Sequence, residues 1–304
     1  MDAPGAWAAA SLPAGDAEHP MTDLASEVTA ISWYHSIDLG DGVVTPGNPP
    51  DERLAARGLP VLRDRTVLDI GAWDGYWSFV AERRGAARVV AMDHYAWCVD
   101  FEARLDYWRR CENQGIVPDH SLDFTEFWRS DSMPGRAGFE LAHRVLNSRV
   151  EPVQADFMTV DPSLGPFDVV LFLGVLYHVR EPLSALERVR RLTGQVAVIE
   201  TEAISVLGMP SASLLEFHDS GGFRGDYTNW FVPTEAALHS LCLAAGFARV
   251  VTRIGPPGAK RRIGTAARRI VDRGSNPDRH SRDIAHPAIT RYRITVHAFP
   301  PEVE

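Results

Sequence analysis

Residues Thr66 to Asp93, TVLDIGAWDGYWSFVAERRGAARVVAMD, decide how the rest of the chain is read. Thr66 to Ile70 is a short, mainly apolar run stopped by Gly71, and Gly75 follows before Tyr76 to Arg84, which has helical composition. Val89 to Met92 is a second apolar run, closed by Asp93. Strand, glycine turn, helix and strand make a βαβ unit, which sets a turn and a helix N-terminus at the carboxyl end of its first strand, where a nucleotide can lie. The acid ending the second strand is placed to accept hydrogen bonds from ribose hydroxyls. The turn departs from GxGxxG, because Trp73 and Asp74 stand where small residues would admit a pyrophosphate. It therefore suits a nucleoside without phosphates better than a dinucleotide.

A chain of 304 residues, 45% hydrophobic and 23% charged, has room for one large α/β domain with additions. The net charge of -9 argues against a protein that coats nucleic acid, and Lys260 is the only lysine, so arginine carries nearly all the positive charge. Cys98, Cys111 and Cys242 are too scattered for a disulfide framework or a cysteine zinc site. The N-terminus lacks the basic and apolar regions of a secretory signal, and the longest apolar run, Val169 to Leu176, is too short to cross a bilayer. A reducing cytoplasm is the expected setting, with no membrane partner.

Along the chain, residues 1–20 are rich in Ala, Pro and Gly and are expected to be disordered or loosely packed. Residues 21–60, a capped helix through Ala30 and a turn-rich tail, form an arm or lid with no core of its own. The main domain is expected over 61–304, with insertions at about 97–149, 203–232 and 256–290. Further strands are read at Val150 to Val153, Phe167 to Gly174, Gln195 to Glu200, Phe247 to Ile254 and Tyr292 to Phe299. Leu183 to Leu192 is a helix by its apolar spacing, and Thr234 caps another that Gly246 ends. Ile204 to Phe231 is read as an irregular, substrate-facing loop. Helically spaced aromatics are core in this reading, so Phe101 and Leu105 receive no role.

Asp69 to Gly75, Asp93, Asp156-Phe157 and FLGVLYH at 172–178, in that order on strand ends, resemble the motifs of class I S-adenosylmethionine-dependent methyltransferases. The resemblance covers about residues 60 to 255. GVLYHVREPLSALERVRRLT and DYTNWFVP are most similar to the bacterial branch related to tRNA wobble-uridine carboxymethyltransferases, which also holds small-molecule and sugar methyltransferases. The resemblance implies a Rossmann-like α/β fold with a seven-strand mixed sheet and S-adenosyl-L-methionine as cofactor. It implies a donor site of Trp33, Asp69, Gly71, Ala72, Gly75, Asp93, His94, Asp156, Phe157 and Leu173. In it Gly71 and Ala72 hold the methionine portion, Asp93 the ribose, Asp156 the adenine amino group and Phe157 the adenine face. The carboxymethyl branch clamps an extra cofactor carboxylate with a lysine in the arm and an arginine; this arm has no lysine, and Arg293 alone is half a clamp. Ordinary S-adenosylmethionine is expected.

His178 is the first candidate for a general base, since it directly follows the fourth strand; the alternative is a hydrogen bond to a carbonyl or to the cofactor carboxylate. Tyr177 and Glu202 complete the candidate catalytic set. Glu200, Glu202, Glu216, His218 and Asp219 are candidates to position substrate or hold a cation, but solvated loop charges are the commoner case and no metal is expected. Trp33, Tyr34, Tyr95, Trp97, Phe217, Phe223, Tyr227, Trp230 and Phe231 fall where the pocket mouth is expected. Such rings would stabilise a carbocation on a terpenoid or indole alkaloid, or stack on a sugar. The expected reaction is C- or O-methylation of a small secondary-metabolite acceptor. The alternatives are wobble uridine of tRNA, or a catalytically silent cofactor-binding module. The basic insert from Lys260 to Arg282 reads as a solvated face or oligomer contact rather than a tRNA site. The arm, with Trp7, Leu24, Val28 and Ile31, is a candidate for exchange in a homo-oligomer.

Overall fold

The computed structural model describes residues 21–218, 226–258, 263–264 and 288–302. The expected loose segment 1–20 and nearly all of the basic insert lie outside these residues.

The sheet holds β3 (Thr66–Ile70), β4 (Arg88–Asp93), β5 (Glu151–Gln154), β6 (Phe167–Leu173), β7 (Thr193–Val206), β10 (Arg249–Ile254) and β11 (Ile289–Phe299). Their order is β10-β11-β7-β6-β3-β4-β5, with β11 antiparallel to both its neighbours and the other pairings parallel. Seven strands in a mixed sheet match the fold class expected above. Successive strand residues serve opposite faces. Val67, Val89, Ala91, Val169 and Leu171 join one core with α2 (Tyr76–Arg83) and α5 (Ala137–Val145), while Leu68, Val90, Met92, Val170 and Phe172 join a second with α6 (Pro182–Leu192) and α7 (Glu235–Ala244). Strand order reverses between β3 and β6, so a crevice opens at their carboxyl ends. Gly71 and Gly174 both lie there.

The arm is part of the first core rather than a cover over it. After α1 (Met21–Thr29), the buried Val28, Trp33, Ile37 and Leu39 pack with Trp77, Phe79 and Phe139, and β1 (Asp38–Gly40) pairs with β2 (Val43–Val44). The expected irregular loop from Ile204 is corrected at both ends. β7 continues to Val206 because β11 pairs with it as far as Ile289, and β8 (Leu215–Phe217) forms a ribbon with β9 (Phe231–Pro233). The insertion after β4 contains α3 (Tyr95–Cys98) and α4 (Phe101–Gln114), the latter capped by Asp100 accepting from the Ala103 amide. Thr234 caps α7 as expected, accepting from the Ala237 amide.

Candidate active site

The glycine turn is built by backbone. Gly71, Trp73 and Gly75 all have left-handed φ, at 77°, 46° and 82°. Gly71 must be glycine for a second reason: a Cβ there would lie 2.5 Å from Val175 Cγ2. The unusual conformation of Trp73 is held by its own amide, which donates to Asp93 Oδ2 at 3.0 Å, and by its carbonyl, which accepts from Trp97 Nε1 at 2.7 Å. Asp93 Oδ1 accepts from the Ala96 amide at 2.8 Å. Burial pushes Asp93 up to about 6, with the backbone amides of Trp73, Ala96, His94 and Trp97 opposing the rise.

Asp69 is also raised to about 6 by burial, and Ser78 Oγ donates to it at 2.6 Å, so it braces α2 against β3 from beneath the turn. Asp156 folds back on its own turn by accepting from the Met158 amide at 2.9 Å, and Phe157 meets Phe172 edge to face. His94 lies against Trp128 and is shifted down by burial. Leu173 ends β6, half-buried at the crevice. Asp93 closing β4, the glycine turn, and Asp156 with an aromatic ring after β5 give acceptors and an apolar face of the kind a nucleoside such as that of S-adenosylmethionine needs. The Trp33 indole donates to Val28 O at 2.9 Å, and its ring lies beside Gly138.

The arm reaches the turn through the next two residues. Asp74 Oδ2 accepts the amides of Tyr34 and His35, at 3.0 and 2.6 Å, and Oδ1 lies 2.7 Å from His35 Nδ1. Tyr34 stacks on Trp73 at 4.4 Å, and Trp73 stacks on Phe101 at 5.1 Å, both pairs within 12° of parallel. Three segments distant in sequence thus meet in one stack. Phe101 thus packs as its helical spacing predicts, and helical spacing alone does not say which ring reaches a neighbouring turn.

Past β6, Tyr177 and His178 occupy a short turn. Tyr177 is buried, which raises its phenol, and its hydroxyl lies 3.4 Å from Arg293 Nη1. Arg293 makes a two-pronged ion pair with Glu200, and its Nη1 lies 3.5 Å from Glu202 Oε1. Burial alone would lower this guanidinium; Glu200 more than offsets it and holds the charge in place. Glu202 therefore belongs to the surroundings of Arg293. Among the described residues no group of three or more His, Cys, Asp or Glu side chains is arranged to hold a metal ion. Glu216 is tied to Arg291 and His218, while Asp219 lies outside the described residues.

His178 Nδ1 lies 2.8 Å from Thr228 Oγ1, which donates to Asp226 Oδ1 at 2.6 Å; the Thr228 amide donates to the same oxygen at 2.8 Å. Burial shifts His178 down, with Asp226 opposing. Asp226 and Thr228 were within the DYTNWFVP motif, yet a motif match assigns no partner. Beyond them, Arg104 lies 4.3 Å over Trp108, and Trp108 and His120 pack on Tyr227. Arg104 Nε, Trp108 Nε1 and His120 Nδ1 are buried without a hydrogen-bond partner.

A glycine turn at the switch point, an acid closing the next strand and a tyrosine-histidine turn after β6 lie together at the carboxyl edge of the sheet. Residues 50–252 match the methyltransferase-domain family, and the chain belongs to it. A tRNA U34 carboxymethyltransferase of Desulforapulum autotrophicum is 26% identical over 253 residues, covering 81% of this chain and 65% of that protein. Another, of Shewanella woodyi, is 30% identical over 184 residues, covering 59% and 43%. The chain thus spans less than two thirds of either relative. Among solved structures, EvdMO1 is similar at a TM-score of 0.51 and 17% identity, over 92% of this chain and 48% of that one. A phosphoethanolamine N-methyltransferase of Haemonchus contortus is similar at 0.50 and 14%, over 84% and 55%. Both likenesses concern the fold. Among the described residues no helix is long and apolar enough to cross a membrane.

Proposed function

We propose that this chain methylates an oxygen nucleophile on a small secondary-metabolite acceptor, with His178 as general base. The observation that carries this is a histidine at the carboxyl end of β6, on the same edge as the donor turn, beside Tyr177 and 2.8 Å from Thr228 Oγ1. Bound in the turn, the cofactor supplies an electrophilic methyl group on a sulfonium. His178 takes the acceptor's O–H proton as the new C–O bond forms and the S–C bond breaks, and the stacked rings shield the site from water. The unpartnered Arg104 Nε, Trp108 Nε1 and His120 Nδ1 support an oxygen-bearing acceptor over a purely apolar one, because buried polar groups left unpaired are costly. Donor contacts are assigned to Asp93, Asp156, Phe157, His94, Leu173 and the Gly71–Ala72 backbone.

Chain extract and total tRNA, each incubated with enzyme and methyl-labelled cofactor, test this. Label in a small molecule, lost in His178→Ala, is expected; label confined to tRNA overturns it. The names of the 26–30% identical relatives favour a second reading, carboxymethyl transfer to wobble uridine. Against it, Glu200 already engages the guanidinium that a cofactor carboxylate would need. Mass spectrometry of the copurified cofactor separates the two.

A further inference from the structure

Thr228 has one hydroxyl proton, and the geometry directs it to Asp226, since Oγ1 and the Thr228 amide both donate to the same carboxylate oxygen. Its lone pairs therefore face His178, and the 2.8 Å contact is completed only if Nδ1 carries the imidazole proton. Neutral imidazole has one such proton, so Nε2 is left as a bare lone pair. The ring contact with Thr228 Oγ1 is made at Nδ1, on the opposite side of the imidazole from Nε2. We propose that Asp226 and Thr228 are positioning residues that hold His178 in the Nδ1–H tautomer, so that Nε2 can accept the acceptor's proton. This rests on the general-base reading of His178 and deepens it: the acceptor group must arrive carrying a proton, as a hydroxyl does.

Without the carboxylate, the Thr228 hydroxyl is free to turn and donate to Nδ1, which would move the imidazole proton to Nε2 and block the base. An orienting acid behind a histidine acts in this way in other active sites. The charged and titratable groups facing His178 are Asp226 from its loop, Arg104 from α4, Arg293 from β11 and the adjacent Tyr177. Asp226 opposes the downward pull of burial and of the two arginines. Its removal lowers the point at which His178 protonates.

The test needs no acceptor. In the full chain labelled with ¹⁵N-histidine and saturated with S-adenosylhomocysteine, long-range ¹H–¹⁵N spectra report the tautomer of His178, assigned with His178→Asn. Nδ1–H is expected in the native chain and in Thr228→Ser. Asp226→Ala and Thr228→Val are expected to shift population to Nε2–H, and Asp226→Ala to lower the histidine titration midpoint. An Nε2–H tautomer in the native chain overturns the proposal, as does an unchanged tautomer and midpoint in both variants. Should Thr228→Val not fold, Asp226→Ala and Thr228→Ser decide alone. Turnover separates the two readings. If His178→Ala keeps full activity, the base assignment fails. If it is inactive while Asp226→Ala retains native turnover, the positioning role fails and the base stands; a loss of ~10²-fold in Asp226→Ala is expected.

Discussion

Asp69 and Asp93 show how single residues trade stability for the site. Each is an acid of ordinary value 3.8 raised to about 6 by burial. An acid whose folded value lies above its unfolded one contributes most below pH 3.8, and that contribution is lost as pH rises through about 6. A displacement of about two units corresponds to about 3 kcal/mol for each group at neutral pH. Asp69→Asn keeps an acceptor for Ser78 and removes the charge. We expect it to raise the melting temperature at pH 8 and leave it nearly unchanged at pH 4, as calorimetry at both values would show. Asp93→Asn should be stabilised in the same sense but should bind S-adenosylhomocysteine at least ~10-fold more weakly by titration calorimetry, having lost its charged acceptor. Gly71→Ala meets Val175 and a left-handed φ together, so it should lower the melting temperature and abolish cofactor binding.

Between elements, Asp74 is the joint. Its loss by Asp74→Ala removes two amide acceptors and the His35 contact. At about 1 kcal/mol for each hydrogen bond, hydrogen exchange at Tyr34 and His35 should accelerate ~30–150-fold, while α6 and α7 keep their protection. A uniform acceleration would show that the arm is not held locally. The sequence disclosed the elements that repeat simple rules: the buried parallel strands, the Thr234 cap and the turn between β3 and α2. It also placed Asp93, Tyr177 and His178 on the correct edge, because strand ends are legible from apolar runs. Side-chain meetings across the chain were not legible. Trp33 and Tyr34 are adjacent aromatics, yet one enters the core and the other stacks on Trp73, a choice set by the arm's path. Thr228 with His178 and Asp74 with His35 are similar cases, since nothing in either local sequence names a partner 50 or 39 residues away.

At the scale of the molecule, the ribbon of β8 and β9 is tied to the main sheet through Glu216 to Arg291 of β11. Burial would raise Glu216, but hydrogen bonds from His218 and Arg291 prevail and hold it at about 2. Its contribution is therefore present above pH 4.5 and is lost as pH falls through about 2. Glu216→Gln should flatten the acid limb of the native stability curve below pH 4.5, followed by urea unfolding at each pH. The rings of Tyr34, Trp73 and Phe101 come from the arm, the turn and α4, so the stack is complete only when all three segments are in place. Loosening either the arm or α4 therefore strips a ring contact from the turn between β3 and α2.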